Sequence, residues 1–195
     1  LLLFTRRNGL YAHNLFTVDA NGGNLTELAA DVDSAEVAWS PDGTRIAFLR
    51  RVRGDTLEAA VIDGSEIKPL GSRPGRDVEV RWSADRTRLA VTNIPAGQNW
   101  TDIFVVTADG GTSFNITQSP LGPEGSPAWA PDGSRIAFLS QGSSSEGNNV
   151  YAVRLDGSDL VKLTHFPYPG ARAHLAWSPD GGRLLFRKGF PYPLS

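Results

Sequence analysis

Short apolar runs alternate with turn-forming clusters along the whole chain, and the repeated runs lack the i, i+3, i+4 spacing of a helix face. In Arg45-Ile46-Ala47-Phe48-Leu49, large apolar residues take alternate positions with the small Ala47 between them. That predicts a strand, and the missing polar alternates predict burial on both of its faces. Ahead of it stand Ala38-Trp39 and then Ser40-Pro41-Asp42-Gly43. Proline presets φ at the second turn position, aspartate suits the third and glycine takes positive φ at the fourth, so the stretch reads as a β-hairpin. The unit returns from Arg81 to Val91, from Ala128 to Phe138 and from Ala176 to Phe186. The copy at Arg81 places Arg86 where the others have Gly43, Gly133 and Gly181. This predicts either a left-handed arginine, strained by ~1–2 kcal/mol, or a turn of another type.

A second unit follows each of these: an apolar strand, a turn, and a more polar strand. Its turns lie around Asn21-Gly22, Asp63-Gly64, Asp109-Gly110 and Asp156-Gly157, and it too reads as a hairpin. The tryptophans Trp39, Trp82, Trp129 and Trp177 recur at intervals of 43, 47 and 48 residues. Two hairpins in a period of that length are the mark of a four-stranded propeller blade. The expected fold is all-β: a β-propeller of four-stranded antiparallel blades, about four of them, forming part of a larger ring. The seventeen strands counted exceed the roughly sixteen that a closed four-bladed ring needs. A single domain over 1–195 holds the blade parts 1–28, 36–70, 79–117, 126–164 and 174–188. Strand A of each blade ends at the tryptophan, B follows the Pro-Asp-Gly turn, and C and D form the outer hairpin. The A–B and C–D turns fall on one face of the disc. The B–C and D–A connections, longer and more variable, fall on the other, where binding residues usually sit. Leu1-Leu2-Leu3-Phe4 reads as a B strand rather than the end of a signal peptide. A partial ring exposes two blade faces, which invites self-association.

The Trp-Ser-Pro-Asp-Gly-x-x-Ile-Ala-Phe pattern, repeated over essentially the whole chain, resembles the TolB-like family of β-propeller repeats. The Gly-His and Trp-Asp marks of WD repeats are absent. The resemblance implies a bacterial source, a periplasmic or secreted location, and a non-catalytic module binding a protein or peptide partner. The same blade also occurs ahead of prolyl-oligopeptidase-like hydrolase domains. A second reading is therefore the substrate-gating propeller of a serine peptidase whose catalytic domain is absent from this chain.

A net charge of −2 argues against a nucleic-acid groove, and the lack of a long apolar run argues against membrane insertion. There is no cysteine, so no redox compartment follows from disulfides. The absence of methionine, the initiator included, implies a processed chain or a piece of a longer one. No Gly-x-Ser-x-Gly elbow, Walker loop or His-Glu-x-x-His pair is present, so no catalytic residue, metal or cofactor is expected. His13, His165 and His174 fall in separate connections, and the Asp-Gly turns lack the carboxylate ladder of a calcium loop. The candidate binding residues are of three kinds. Arg50, Arg51 and Arg53, with Arg73, Arg76 and Arg81, read as a basic patch suited to carboxylate-bearing partners or as ordinary surface charge. Trp100 breaks the tryptophan series and stands by a variable loop. Glu36, Glu79 and His174 each precede a repeat tryptophan by three residues and are expected near the start of the innermost strand, at the channel mouth, as a site for a cation or a basic peptide end or as a solvated polar rim.

Overall fold

The computed structural model describes residues 2–7, 13–53, 56–71, 75–118, 122–141, 147–166 and 171–188. All regular structure among them is β. The first sheet holds β1 (Leu2–Arg7), β2 (His13–Val18), β3 (Thr26–Trp39), β4 (Arg45–Arg53), β5 (Thr56–Asp63) and β6 (Glu66–Pro69) in that order. The second holds β7 (Gly75–Trp82), β8 (Arg88–Pro95), β9 (Asp102–Thr107) and β10 (Ser113–Asn115), and the third holds β11 (Glu124–Trp129), β12 (Arg135–Ser140), β13 (Asn149–Arg154) and β14 (Val161–Lys162). A last pair joins β15 (Ala171–Trp177) to β16 (Leu184–Lys188). Every pairing is antiparallel between strands adjacent in sequence, as the hairpin reading expects.

One junction departs from the repeat. The outer strand of the first blade and the inner strand of the second are a single strand, β3, whose first half pairs with β2 and whose second half pairs with β4. Other junctions carry Pro or Gly, as at Gly71 to Gly75 or Gly122-Pro123, and these end a ladder. The segment Leu28-Ala29-Ala30-Asp31-Val32-Asp33 has neither, so the chain stays extended. It turns the corner with Asp31 at φ 55° and a bulge between Val32 and Val37.

Arg51 and Arg53 also stand elsewhere than expected. They belong to β4, which pairs with β5 as far as Arg53 opposite Thr56, so both lie in a strand rather than in a long connection. Arg76 likewise lies in β7, opposite Ile94 of β8.

The core lies between blades. Alternate residues of β4 feed adjacent seams: Ile46 and Phe48 pack with Leu15 and Ala60, while Ala47 and Leu49 pack with Val80 and Leu89 of the next blade. Burial on both faces is why this strand carries no polar alternates. Phe48 and Phe138, each 0% exposed, contribute about 1.5–3 kcal/mol apiece by burial. The repeat tryptophans stitch the seams. The indole Nε1 of Trp82 donates to Ala38 O (3.2 Å), that of Trp129 to Arg81 O (3.1 Å) and that of Trp177 to Ala128 O (3.1 Å). Each acceptor is the residue just before the preceding blade's tryptophan, so one side chain supplies both apolar contact and register.

The Pro-Asp-Gly turns close as their residues predict. Gly43 N donates to Ser40 O (2.8 Å), and Ser40 Oγ donates to Asp42 Oδ1 (2.6 Å) while accepting from Arg45 N (2.9 Å). The Ser40 hydroxyl is the chief reason the Asp42 carboxyl titrates well below its usual range. Arg86 makes the same turn as the glycines, with its N donating to Ser83 O (3.1 Å) at φ 65°. The strained alternative is therefore the one adopted.

Candidate functional site

Each innermost strand carries an irregularity at the same place: between Val32 and Val37 in β3, Asp77 and Glu79 in β7, Gly125 and Ala128 in β11, and Arg172 and Ala176 in β15. The residues three before each tryptophan sit at these bulges, where a side chain is re-aimed out of the pleat. Glu79, Ser126 and His174 are the fifth, third and fourth residues of β7, β11 and β15, whereas Glu36 lies in the second half of β3. Ser126 pays for the bend with φ 53°.

At the bulges the structure joins Glu36 to Glu79 through a residue that composition alone made look like surface charge. Arg81 Nη1 donates to Glu36 Oε2 and to Val80 O (2.8 Å), and Nη2 donates to Glu79 Oε1 (2.9 Å). Glu79 Oε2 accepts from Ser126 N (2.8 Å) and from Thr92 Oγ1 (3.4 Å). One chain of charge-assisted bonds thus runs across three successive blades. Burial raises the Glu79 carboxyl above its usual range, against the lowering effect of Arg81 and of the Ser126 N–H. The cation that Glu36 and Glu79 share is the chain's own Arg81, so the two carboxylates are braced from within the chain. The side chain of His174 lies outside the described residues.

The basic patch divides in the same way. Arg50 is tied to Glu58 (2.8 Å) and Arg81 to the two glutamates. Arg51 is half-buried and Arg76 exposed. Arg73 and the side chain of Arg53 lie outside the described residues. Trp100 is 42% exposed on the segment between β8 and β9. By strand direction it stands at the same edge of the blade as Arg76, the edge of the long connections.

Behind that edge lies a buried polar row that the sequence reading did not single out. Asp77, Asn93 and Asp102 stand in cross-strand register on β7, β8 and β9. Asp77 Oδ2 accepts from Ala59 N (2.8 Å), Asn93 Nδ2 donates to Asp77 Oδ1 (2.9 Å), and Asn115 Nδ2 donates to Asp102 Oδ2 (2.8 Å). Glu124, at 3% exposure, joins the row from the next blade, where its N–H donates to Thr101 Oγ1 (2.8 Å). Among the described residues no donor comes within normal hydrogen-bond geometry of either Glu124 carboxylate oxygen, of Asp102 Oδ1 or of Asn93 Oδ1. Burial pushes the Glu124 carboxyl up to about 8; the nearby Thr117 hydroxyl opposes the shift and Asp102 adds to it. The sequence signal was the recurrence of Asp or Asn at strand ends, which a single-strand reading takes for loop composition. Among the described residues no group of three or more His, Cys, Asp or Glu stands together as a metal site.

Blades packed face to face, stitched by a repeated indole and carrying variable chemistry at one edge, define the chain as a β-propeller. Comparison with known proteins gives the family: the TolB beta propeller domain matches residues 3–190, and the chain belongs to that family. A TolB homolog from Chlorobium luteolum is 28% identical over 142 residues, covering 72% of this chain and 31% of that protein. An uncharacterized peptidase, YuxL of Bacillus subtilis, is 28% identical over 117 residues, covering 56% of this chain and 18% of that protein. The chain thus spans about a third or less of these relatives. The solved structure of a putative TolB from Agrobacterium tumefaciens superposes with a TM-score of 0.71 at 19% identity, covering 97% of this chain and 70% of that one.

Proposed function

We propose that this chain is a non-catalytic binding propeller whose long-connection edge takes a protein or peptide partner. One observation carries the reading. At the inner rim Glu36 and Glu79 are braced by Arg81, whereas at the blade edge beside it an aromatic side chain, Trp100, stands 42% exposed with Arg76 exposed as well. A rigid aromatic beside a guanidinium is the residue chemistry that dominates protein interfaces. Arg51 at the end of β4 extends this edge, and Arg53 and Arg73 are assigned to it by sequence position. The family supports a bacterial envelope protein, periplasmic or secreted. The TolB homolog supports a protein partner, while the YuxL match supports the second reading, the gating propeller of a serine peptidase. In that case the hydrolase groups lie in another part of the parent protein.

The test is selection of binders from a random peptide library on the purified chain, followed by titration of the selected peptides against the variants W100A and R76E. The reading expects at least a tenfold loss of affinity in each. Unchanged affinity in both removes the edge as the site. Hydrolysis of those peptides by the parent protein, but not by this chain, favours the gating reading.

A further inference from the structure

We infer that the seam between the third and fourth of the tryptophan-bearing blades, on the face opposite the long connections, is a binding site for an arginine side chain of a protein or peptide. The repeat supplies its own reference. Each B strand opens with an arginine: Arg45, Arg88 and Arg135. In the first of these seams Arg45 lies over the ring of Trp82, 4.8 Å from its centroid, and in the second Arg88 lies over Trp129 at 5.6 Å. In the third, Arg135 is drawn off the equivalent ring. Its Nη2 donates to Asp159 Oδ2 (2.7 Å), which also accepts from Arg154 Nε (3.2 Å). The corresponding place is Thr112 beyond the Asp109-Gly110 turn and Glu66 beyond the Asp63-Gly64 turn, where Glu66 pairs with Lys68 (3.4 Å) instead. The Trp177 ring is left facing a cleft of about 630 Å3 between the Pro131–Asp132 and Pro179–Asp180 turns.

As in the second seam, where Gly133 stands, the next blade's turn supplies no second arginine here. In the first seam Arg86 reaches back from the next blade's turn to Asp42 (2.9 Å) and closes the gap. Its counterpart in the third seam is Gly181, so Asp132, the counterpart of Asp42, receives nothing from the next blade's turn. The cleft therefore presents an aromatic face and a carboxylate that guanidinium groups occupy in the first seam. Asp132 and Asp180 are held ionised, the first mainly by the Ser134 N–H and the second by the Ser178 hydroxyl. Arg135, which also lines the cleft, shares Asp159 with Arg154. A planar guanidinium stacks on an indole and pairs with carboxylates at once, which an ammonium does less well.

The probe is the blocked tripeptide Ac-Gly-Arg-Gly-NH2, titrated while the Trp177 indole N–H resonance is followed, with the Gln-centred tripeptide as control. Saturable binding of the arginine peptide, at least tenfold tighter than the glutamine peptide, is expected. G181R should abolish it by placing an arginine where the first seam already has one. A Cβ at Gly181 meets only Pro131 Cδ at 3.7 Å, and the required left-handed φ of 69° is close to that of Arg86. D159A should also weaken binding at least tenfold, by freeing Arg135 to return over Trp177. Equal binding of the two peptides, no saturation by either, or undiminished binding in G181R overturns the assignment.

Discussion

Replacing Trp129 by Phe tests how the blades are held together. The indole of Trp129 donates to Arg81 O at 3.1 Å, and Arg88 lies over its ring at 5.6 Å. Loss of that hydrogen bond costs about 1 kcal/mol net. Weakening of the cation–π contact costs ~0.5 kcal/mol, and removal of the larger ring's buried surface ~1 kcal/mol. The total is roughly 2–3 kcal/mol. Trp39 supplies the control, since it packs in the preceding seam with Leu15 and Ala29 but donates no such bond among the described residues. W39F then loses only the surface contribution, ~1 kcal/mol. Urea unfolding followed by far-ultraviolet circular dichroism measures both. With a slope of about 2–3 kcal/mol per molar, the midpoint of W129F should fall about 0.5 M further than that of W39F. Equal losses would mean that ring volume alone holds the seams and the indole bond contributes nothing.

Other consequences follow from single residues. R86G should raise stability by up to about 1 kcal/mol, because it relieves a left-handed arginine and removes only an exposed pair with Asp42; a clear loss in the same urea assay would assign the seam's closure to that pair. Glu124 sets a pH dependence. Its folded pKa is raised, so its contribution is fully present below about 4.5 and is lost as pH rises towards about 8, at up to about 1.4 kcal/mol per unit. The turn aspartates, lowered in the fold, act in the opposite sense and lose their contribution as pH falls below their usual range. E124Q should flatten the limb between pH 5 and 8, measured by thermal melts across that range, and an unchanged limb would place its origin elsewhere.

The repeat was legible because it is written in local chemistry. Ser-Pro-Asp-Gly fixes a turn within four residues, and Ile-Ala-Phe fixes a two-faced strand. The blade seams were legible only in part. Trp177 could be assigned to packing from its recurrence, but its acceptor, Ala128, stands 49 positions away. Arg81 joins Glu36 across 45 positions, so it looked like one more surface arginine. The fusion of two strands into β3 is a property of what is missing, a Pro or Gly between Leu28 and Glu36. Reading down the columns of the repeat, rather than along the chain, exposes Asp159 as the partner that draws Arg135 from Trp177, and Gly181 as the repeat's ordinary residue where only the second copy carries Arg86.

The reading of the long-connection edge is tested most directly by the indole N–H spectrum of the five tryptophans, recorded as library-selected peptides are added. The account predicts that Trp100 shifts and that Trp39, Trp82 and Trp129 hold still, with Trp177 moving only for arginine-bearing peptides. Shifts confined to the four repeat indoles, with Trp100 unmoved, would contradict it.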